Sequence, residues 1–411
     1  MSALQVSLEQ MAALVESRGG RPRVVVSGNF ATPWPAVSAL DRALPEWTLH
    51  MLNPQVGAVP TRDGVVLETC FIGPGMRDQP TLSYVPSRLS MVPLLLRSTL
   101  APDVVVVHTT EPAFGSLSLG TEVNILPAAV EAVRARGGLV VAVVNPHMPW
   151  TYGDAELSLD LVDIVCELDQ PLQAASPTVP DDASHDIGAR VSVRVSDGAT
   201  LQAGIGQVPD AALLGLHARR SLGVWAEMIS DGIAALEHSG ALDHHRPIVA
   251  SFMFGTEELY RWAHRNHRIR MLRTETVNNP ARISANPFMV SINSALEVDL
   301  FAQANASSVH TRTYSGFGGQ PDFVVGALHS AGGQAMIALR SWHPRAGCST
   351  IVPMLSGPAT SFQHTAVVTE QGTALLWGRD QGAQAQELIE HAADPRARDE
   401  LREHAVGRRI T

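Results

Sequence analysis

Short apolar runs alternate with amphipathic stretches along most of this chain. RVVVSGN from residue 23 gives way to PAVSALDRAL, DVVVVHT at 103–109 precedes AAVEAVRAR, and LVVAVVN fills 139–145. Runs of five to seven residues rich in β-branched side chains, bounded by Asn, His, Gly or Pro, suit a strand buried on both faces. The helical stretches between them supply the crossovers that parallel strands need. The pattern predicts a parallel α/β domain whose strand ends gather on one rim, where open α/β sheets bind ligands.

The rhythm breaks at 170–185, QPLQAASPTVPDDASH, where prolines, small residues and acids show no period. This stretch predicts an interdomain connection, with one domain over 1–180 and another over 181–411. A second α/β unit follows. ATLQAGIG reads as a strand and glycine turn, PDAALLGLHARR as a helix opened by Pro209 and Asp210, LGVWAE as a strand, and DGIAALEHSG as a helix ending at Gly240. Residues 380–405 are helical in pattern and are expected to pack across the C-terminal sheet. A length of 411 residues fits two such domains.

Composition then removes whole classes of function. A hydrophobic share of 45% with 17% charged residues allows a large core. The opening MSALQVSLEQMAALVESRGG carries acids and lacks a basic start, so it does not read as a signal peptide, and no run approaches the roughly 20 apolar residues of a membrane helix. The expected location is the cytoplasm. A net charge of -10 without acidic blocks argues against a nucleic-acid partner. Cys70, Cys166 and Cys348 are far apart and form no CxxC, and the histidines are scattered, so neither a disulfide framework nor a metal site is expected. All 30 basic residues are arginine and none is lysine. Schiff-base chemistry, lysine-bound pyridoxal phosphate and a P-loop ending in GK[ST] are therefore excluded. Covalent catalysis falls to a hydroxyl, thiol, imidazole or carboxylate.

Three segments carry candidate chemistry. In LGVWAEMISDG an apolar strand runs into Glu227, and Asp231 is expected to cap the next helix. A carboxylate partly desolvated at a strand end is a better nucleophile than a hydrated one, although a glutamate in that place can also simply cap a neighbouring helix. GIGQVP at 204–209 sets two glycines between strand and helix, where main-chain N–H groups can approach a phosphate; it departs from GxGxxG and can equally be a tight turn. SGFGGQPDFVVG at 315–326 places Gly316, Gly318 and Gly319 in one loop able to face a developing oxyanion. The asparagines of VSINSA and TVNNP suit strand-end or loop hydrogen bonds, with a structural role assigned to TVNNP.

Taken in order, GIGQVPDA, LGVWAEMISDG, MVSINSALEVDL, SGFGGQPDF, STIVPML and VVTEQGTALLWG resemble the acetyl-CoA hydrolase/transferase family, most closely its 4-hydroxybutyrate CoA-transferase-like branch. SLGTEVN near 118 and VNPHMPWTYG at 144–153 extend the resemblance over nearly the whole chain from Arg23. It implies two tandem α/β domains of the NagB/RpiA/CoA-transferase-like type with the active site between them, a homodimer or larger homo-oligomer, and acyl-CoA and a small carboxylic acid as substrates. Coenzyme A is then a substrate held transiently as a covalent thioester, with no metal, no nucleic acid and no membrane involved.

Residue by residue, the resemblance makes Glu227 the nucleophile and places CoA on Gly204, Ile205, Gly206, Gln207 and Val208. It implies that Asn293 orients the acyl carbonyl or the glutamyl group. The loop containing Gly316, Gly318, Gly319, Gln320 and Pro321 would line the thioester site, and Arg345 would stand where a lysine commonly meets a CoA phosphate. Trp225, Ala226 and Trp150 depart from the family pattern and point to a less polar or differently shaped acid. A hydrolase on the same scaffold and a non-catalytic CoA or metabolite sensor remain as alternatives.

Overall fold

The predicted strand–helix rhythm folds into two units, one formed by residues 1–176 with 249–277 and the other by 177–248 with 278–411. The computed structural model describes residues 3–410 except 178, 310, 311, 358, 360, 362 and 409.

In the first unit eight strands pair in parallel in the order Leu4–Gln5, Ile164–Glu167, Leu139–Val144, Val104–Thr109, Arg23–Val26, Trp47–His50, Val65–Thr69 and Leu82–Tyr84. The valine runs are central, and every residue of Val104–Thr109 is buried, as a strand covered on both faces requires. One layer of the core joins Val24, Val26, Val104, Val106, Val141 and Val143 to Trp47 and to the helices Leu8–Glu16 and Trp34–Ala43. The first of these helices starts at a reciprocal cap between Ser7 and Gln10.

In the second unit the order is Thr373–Leu375, Ala366–Val368, Gln334–Ala338, Met289–Asn293, Thr200–Ala203 and Gly223–Trp225. The Thr373–Leu375 edge is antiparallel and the other pairings are parallel. From Thr200–Ala203 the chain moves first to Gly223–Trp225 on one side and later to Met289–Asn293 on the other, so the strand order reverses between Thr200–Ala203 and Met289–Asn293. Leu388, Ile389, Leu401 and Ala405 from the C-terminal helical segments pack with Ile337 and Val367 of the sheet, as the 380–405 pattern predicts.

Several local expectations shift. The helix expected to open at Pro209 starts earlier, at Gln207, because Gly206 takes φ 128° and turns the chain into it. Pro209 then sits in the first turn, where its missing N–H is not needed. Asp231 is the first residue of Asp231–His238, not its cap; Ser230 holds the cap position, and the acid gains from the helix dipole instead. Asp182–Val193 is a helix that starts inside the predicted connection, where the Asp181 carboxylate accepts from the Ser184 N–H at 3.0 Å. Thr178, in the same stretch, lies outside the described residues. Among the described residues no helix is long and apolar enough to cross a membrane.

Candidate active site

The strand order of the second unit reverses at the carboxyl ends of Thr200–Ala203 and Met289–Asn293, the position where open α/β sheets bind ligands. Gly204 leaves the first of these strands, Asn293 ends the second, and Glu227 lies just past the neighbouring strand Gly223–Trp225. The helix Gln320–His329 leads into Gln334–Ala338, so a parallel crossover starts it on this same rim.

Glu227 as a whole is half-buried, yet its carboxyl is enclosed by buried groups. The fully buried Asn278 donates from Nδ2 to Glu227 Oε2 at 2.6 Å. Burial pushes the Glu227 carboxyl up to about 7; the Asn278 hydrogen bond opposes the rise, and the charge of buried Asp322 adds to it. The group is thus near half ionisation at neutral pH and poorly solvated, the combination expected of a reactive carboxylate.

The glycine loop is shaped around that carboxyl. A Cβ on Gly319 would stand 1.6 Å from Glu227 Oε2 and 2.3 Å from Asn278 Nδ2, so no side chain fits. Gly316 and Gly318 have φ of 151° and 57°, which a residue with a Cβ adopts only under strain. Packing brings the two halves of the site together. Asn279 caps the short helix Pro280–Ser284, and Gly326 lets that helix lie close against Gln320–His329, where a Cβ would come within 2.5 Å of Ile283. Asn278 precedes the first helix and Gly319 caps the second, so their contact sets both beside Glu227. Two buried polar atoms here, Asn278 Oδ1 and Gln320 Nε2, have no partner among the described residues. Gln320, Gly316, Phe317 and Pro321 also line a cavity of about 20 Å³, room for one water.

The remaining sequence candidates are placed as follows. Asn293 is turned to the sheet: its Nδ2 donates to Ser291 Oγ at 2.8 Å and to Gln202 Oε1 at 3.3 Å, while its Oδ1 accepts from Gln202 Nε2 at 3.2 Å. Gly204 lies against it, a Cβ there being 3.9 Å from Asn293 Oδ1, and the Gly204 N–H is taken by Ile292 O. Ile205 and Gln207 are exposed, whereas Val208 is buried in its helix. Arg345 is exposed on the hairpin between Trp342–His343 and Cys348–Ser349, and a different arginine, Arg340, touches Gln207.

The structural role expected of TVNNP fits Asn279, while Asn278 bonds the Glu227 carboxyl. The two asparagines are adjacent and alike in type; Asn279 does cap a helix, and the partner of Asn278 is 51 residues away. Asp322 was visible inside GGQPDF, but its burial near a second acid was not.

Residues 65–175 match the N-terminal domain and residues 255–405 the C-terminal domain of acetyl-CoA hydrolase/transferase. The chain is 34% identical to the 4-hydroxybutyrate coenzyme A transferase of Clostridium kluyveri, over 96% of each chain. In structure it is similar to RipA from Yersinia pestis (TM-score 0.90, 26% identity, covering 99% of this chain and 98% of that one). It is also similar to a 4-hydroxybutyrate CoA-transferase from Porphyromonas gingivalis (TM-score 0.83, 30% identity, covering 98% of each chain). With both domains matched and the likeness running along nearly its whole length, this chain belongs to the acetyl-CoA hydrolase/transferase family.

Proposed function

We propose that this protein moves CoA between an acyl-CoA and a small carboxylic acid, with Glu227 as the covalent carrier. The observation that carries this reading is the Glu227 carboxyl, enclosed, pushed up to about 7, and held by Asn278 against the bare Cα of Gly319. The ionised carboxylate attacks the thioester carbonyl; a C–O bond forms, the C–S bond breaks, and an acyl-glutamyl anhydride and CoA thiolate result. The thiolate then attacks the glutamyl carbonyl, the anhydride C–O bond breaks, and the first acid leaves a glutamyl-CoA thioester. A second acid runs these steps in reverse, which gives ping-pong kinetics.

Each step passes through a tetrahedral oxyanion. The loop carrying Gly316, Gly318 and Gly319 lies next to the reacting carboxyl, and its main-chain amides are the donors for that charge. Asn278 holds the carboxylate in line for attack. Residues 204–208 lie on the rim where CoA is held, with Gln207 exposed for contact and Val208 anchoring the helix beneath.

Intact mass after incubation with acyl-CoA, followed by borohydride, tests the reading. Reduction of a glutamyl-CoA thioester converts one glutamate to an alcohol, and peptide mapping should place it at residue 227. Turnover that survives Glu227→Ala unchanged would refute it. A hydrolase would resolve the same intermediate with water, so CoA release that does not depend on added carboxylate selects that activity. Rates with acetate, butyrate and 4-hydroxybutyrate then rank the acids, and equal rates would remove the expectation drawn from Trp150 and Trp225.

A further inference from the structure

Arg340 lies two residues beyond the strand Gln334–Ala338, on the rim that carries Asn293 and the 204–208 segment. Its Nη2 donates to the Asp181 carboxylate and reaches Gln207 Oε1 at 3.4 Å. The backbone around it is pinned: Thr350 Oγ1 donates to Arg340 O, and the Ser341 N–H donates to Glu370 Oε2 at 3.0 Å. The side chain is 30% exposed, so the guanidinium can swing while its Cα stays fixed. Asp181 has a second task that does not need Arg340, because its other oxygen caps the helix Asp182–Val193.

This arrangement has the chemistry of an anion site already filled by a carboxylate of the chain itself. Guanidinium recognises carboxylate and phosphate through the same fork of donors, and phosphate brings more negative charge. CoA carries phosphate groups, and in a chain without lysine arginine is the permanently charged side chain able to meet them. Gln207 ties Arg340 to the segment assigned to CoA, whereas Arg345 is exposed on its hairpin.

Resting on the CoA-transferase reading, we propose that Arg340, in place of Arg345, takes a phosphate of CoA, and that Asp181 holds the guanidinium until CoA displaces it. The two partners then have opposite effects on binding. Arg340→Gln should raise the dissociation constant for CoA by about tenfold, the scale of one charge-assisted contact. That difference should vanish when a pantetheine thioester, which has no phosphate, replaces acyl-CoA in kinetics. Asp181→Asn keeps a helix cap, since asparagine caps as well as aspartate. It removes the competing charge and should tighten CoA binding severalfold.

Calorimetry with free CoA on the full chain reads both variants. Equal affinity of Arg340→Gln and the unaltered protein overturns the proposal. So does weakened binding in Asp181→Asn, which would mark the pair as a structural bridge. Failure of the CoA-transferase reading looks different: the unaltered protein would form no glutamyl-CoA thioester in the mass experiment, whatever the affinities of the variants.

Discussion

Each unit buries a carboxylate, and the two behave oppositely. Glu68, in the Val65–Thr69 strand of the first unit, accepts from Arg23 Nε at 3.0 Å and Nη2 at 3.3 Å and pairs with His50 Nδ1 at 2.9 Å. Burial alone would raise it, but the hydrogen bonds and charges of His50 and Arg23 outweigh burial and hold it below the usual carboxylate range. Glu227 has a neutral amide donor and a second acid nearby, so burial wins and the carboxyl rises to about 7. Desolvation is common to both; the charge of the neighbours sets the sign. Glu68 is held ionised by Arg23 and the His50 hydrogen bond, partners that its loss would leave facing a neutral group, whereas Glu227 keeps its lone pairs available. A buried acid is a candidate nucleophile only when its partners leave it underpaired.

Exchanging each acid for its neutral isostere breaks the comparison most directly. Glu227→Gln should lower turnover by about 10⁴-fold or more, since no amide oxygen can form the anhydride. Glu68→Gln should leave turnover within about twofold and lower unfolding free energy by about 3 kcal/mol, because Arg23 and His50 then face a neutral group in the interior. Parallel assays of rate and urea midpoint check both, and a catalytic loss in Glu68→Gln comparable to that in Glu227→Gln would end the distinction. Gly319→Ala follows in size. With a Cβ placed 1.6 Å from Oε2, the carboxylate must move, and turnover should fall about a hundredfold, while the Glu68 cluster and its stability contribution stay unchanged. Asn278→Ala removes one hydrogen bond, so a loss of about tenfold in turnover is expected.

How much of this contrast the sequence shows depends on the distance over which it is built. The valine runs and the turn after LGVWAE mark strand ends, so the parallel sheets and the place of Glu227 follow from local pattern. The surroundings of its carboxyl do not, because Asn278 and Gly319 reach it only through the packing of Pro280–Ser284 on Gln320–His329. Asp182–Val193 is hidden by a polar, acid-rich start that reads as linker. The small sheet of Glu297–Asp299, Ala304–Asn305 and Ile351–Val352 is hidden by strands of two or three residues, too short to display a period of two. The resemblance implies Arg345 from its place in a motif, whereas Arg340, proposed above, comes to notice only by what it touches.

The smallest effect is the one that tests the sign. Glu227 in the folded protein stands near 7, above its ordinary 4.5, so its protonated form favours the fold. That contribution is fully present below about pH 4.5 and is lost as pH rises through 7. Glu227→Gln mimics the protonated acid; it should match the unaltered protein at pH 4 and gain on it at pH 8, by on the order of 1 kcal/mol once solvent screening of a half-buried group is allowed for. Glu68 is depressed, so its contribution is present above about pH 4.5 and lost as pH falls through its lowered value. The deficit of Glu68→Gln should therefore be largest at neutral pH and shrink in acid. Urea midpoints at pH 4, 6 and 8 should move the two variants in opposite directions against the unaltered chain, and the rate of thioester formation should climb with pH to half its maximum near 7. If both variants tracked pH in the same direction, the partners would not set the sign, and the case for Glu227 as an underpaired nucleophile would lose its electrostatic support.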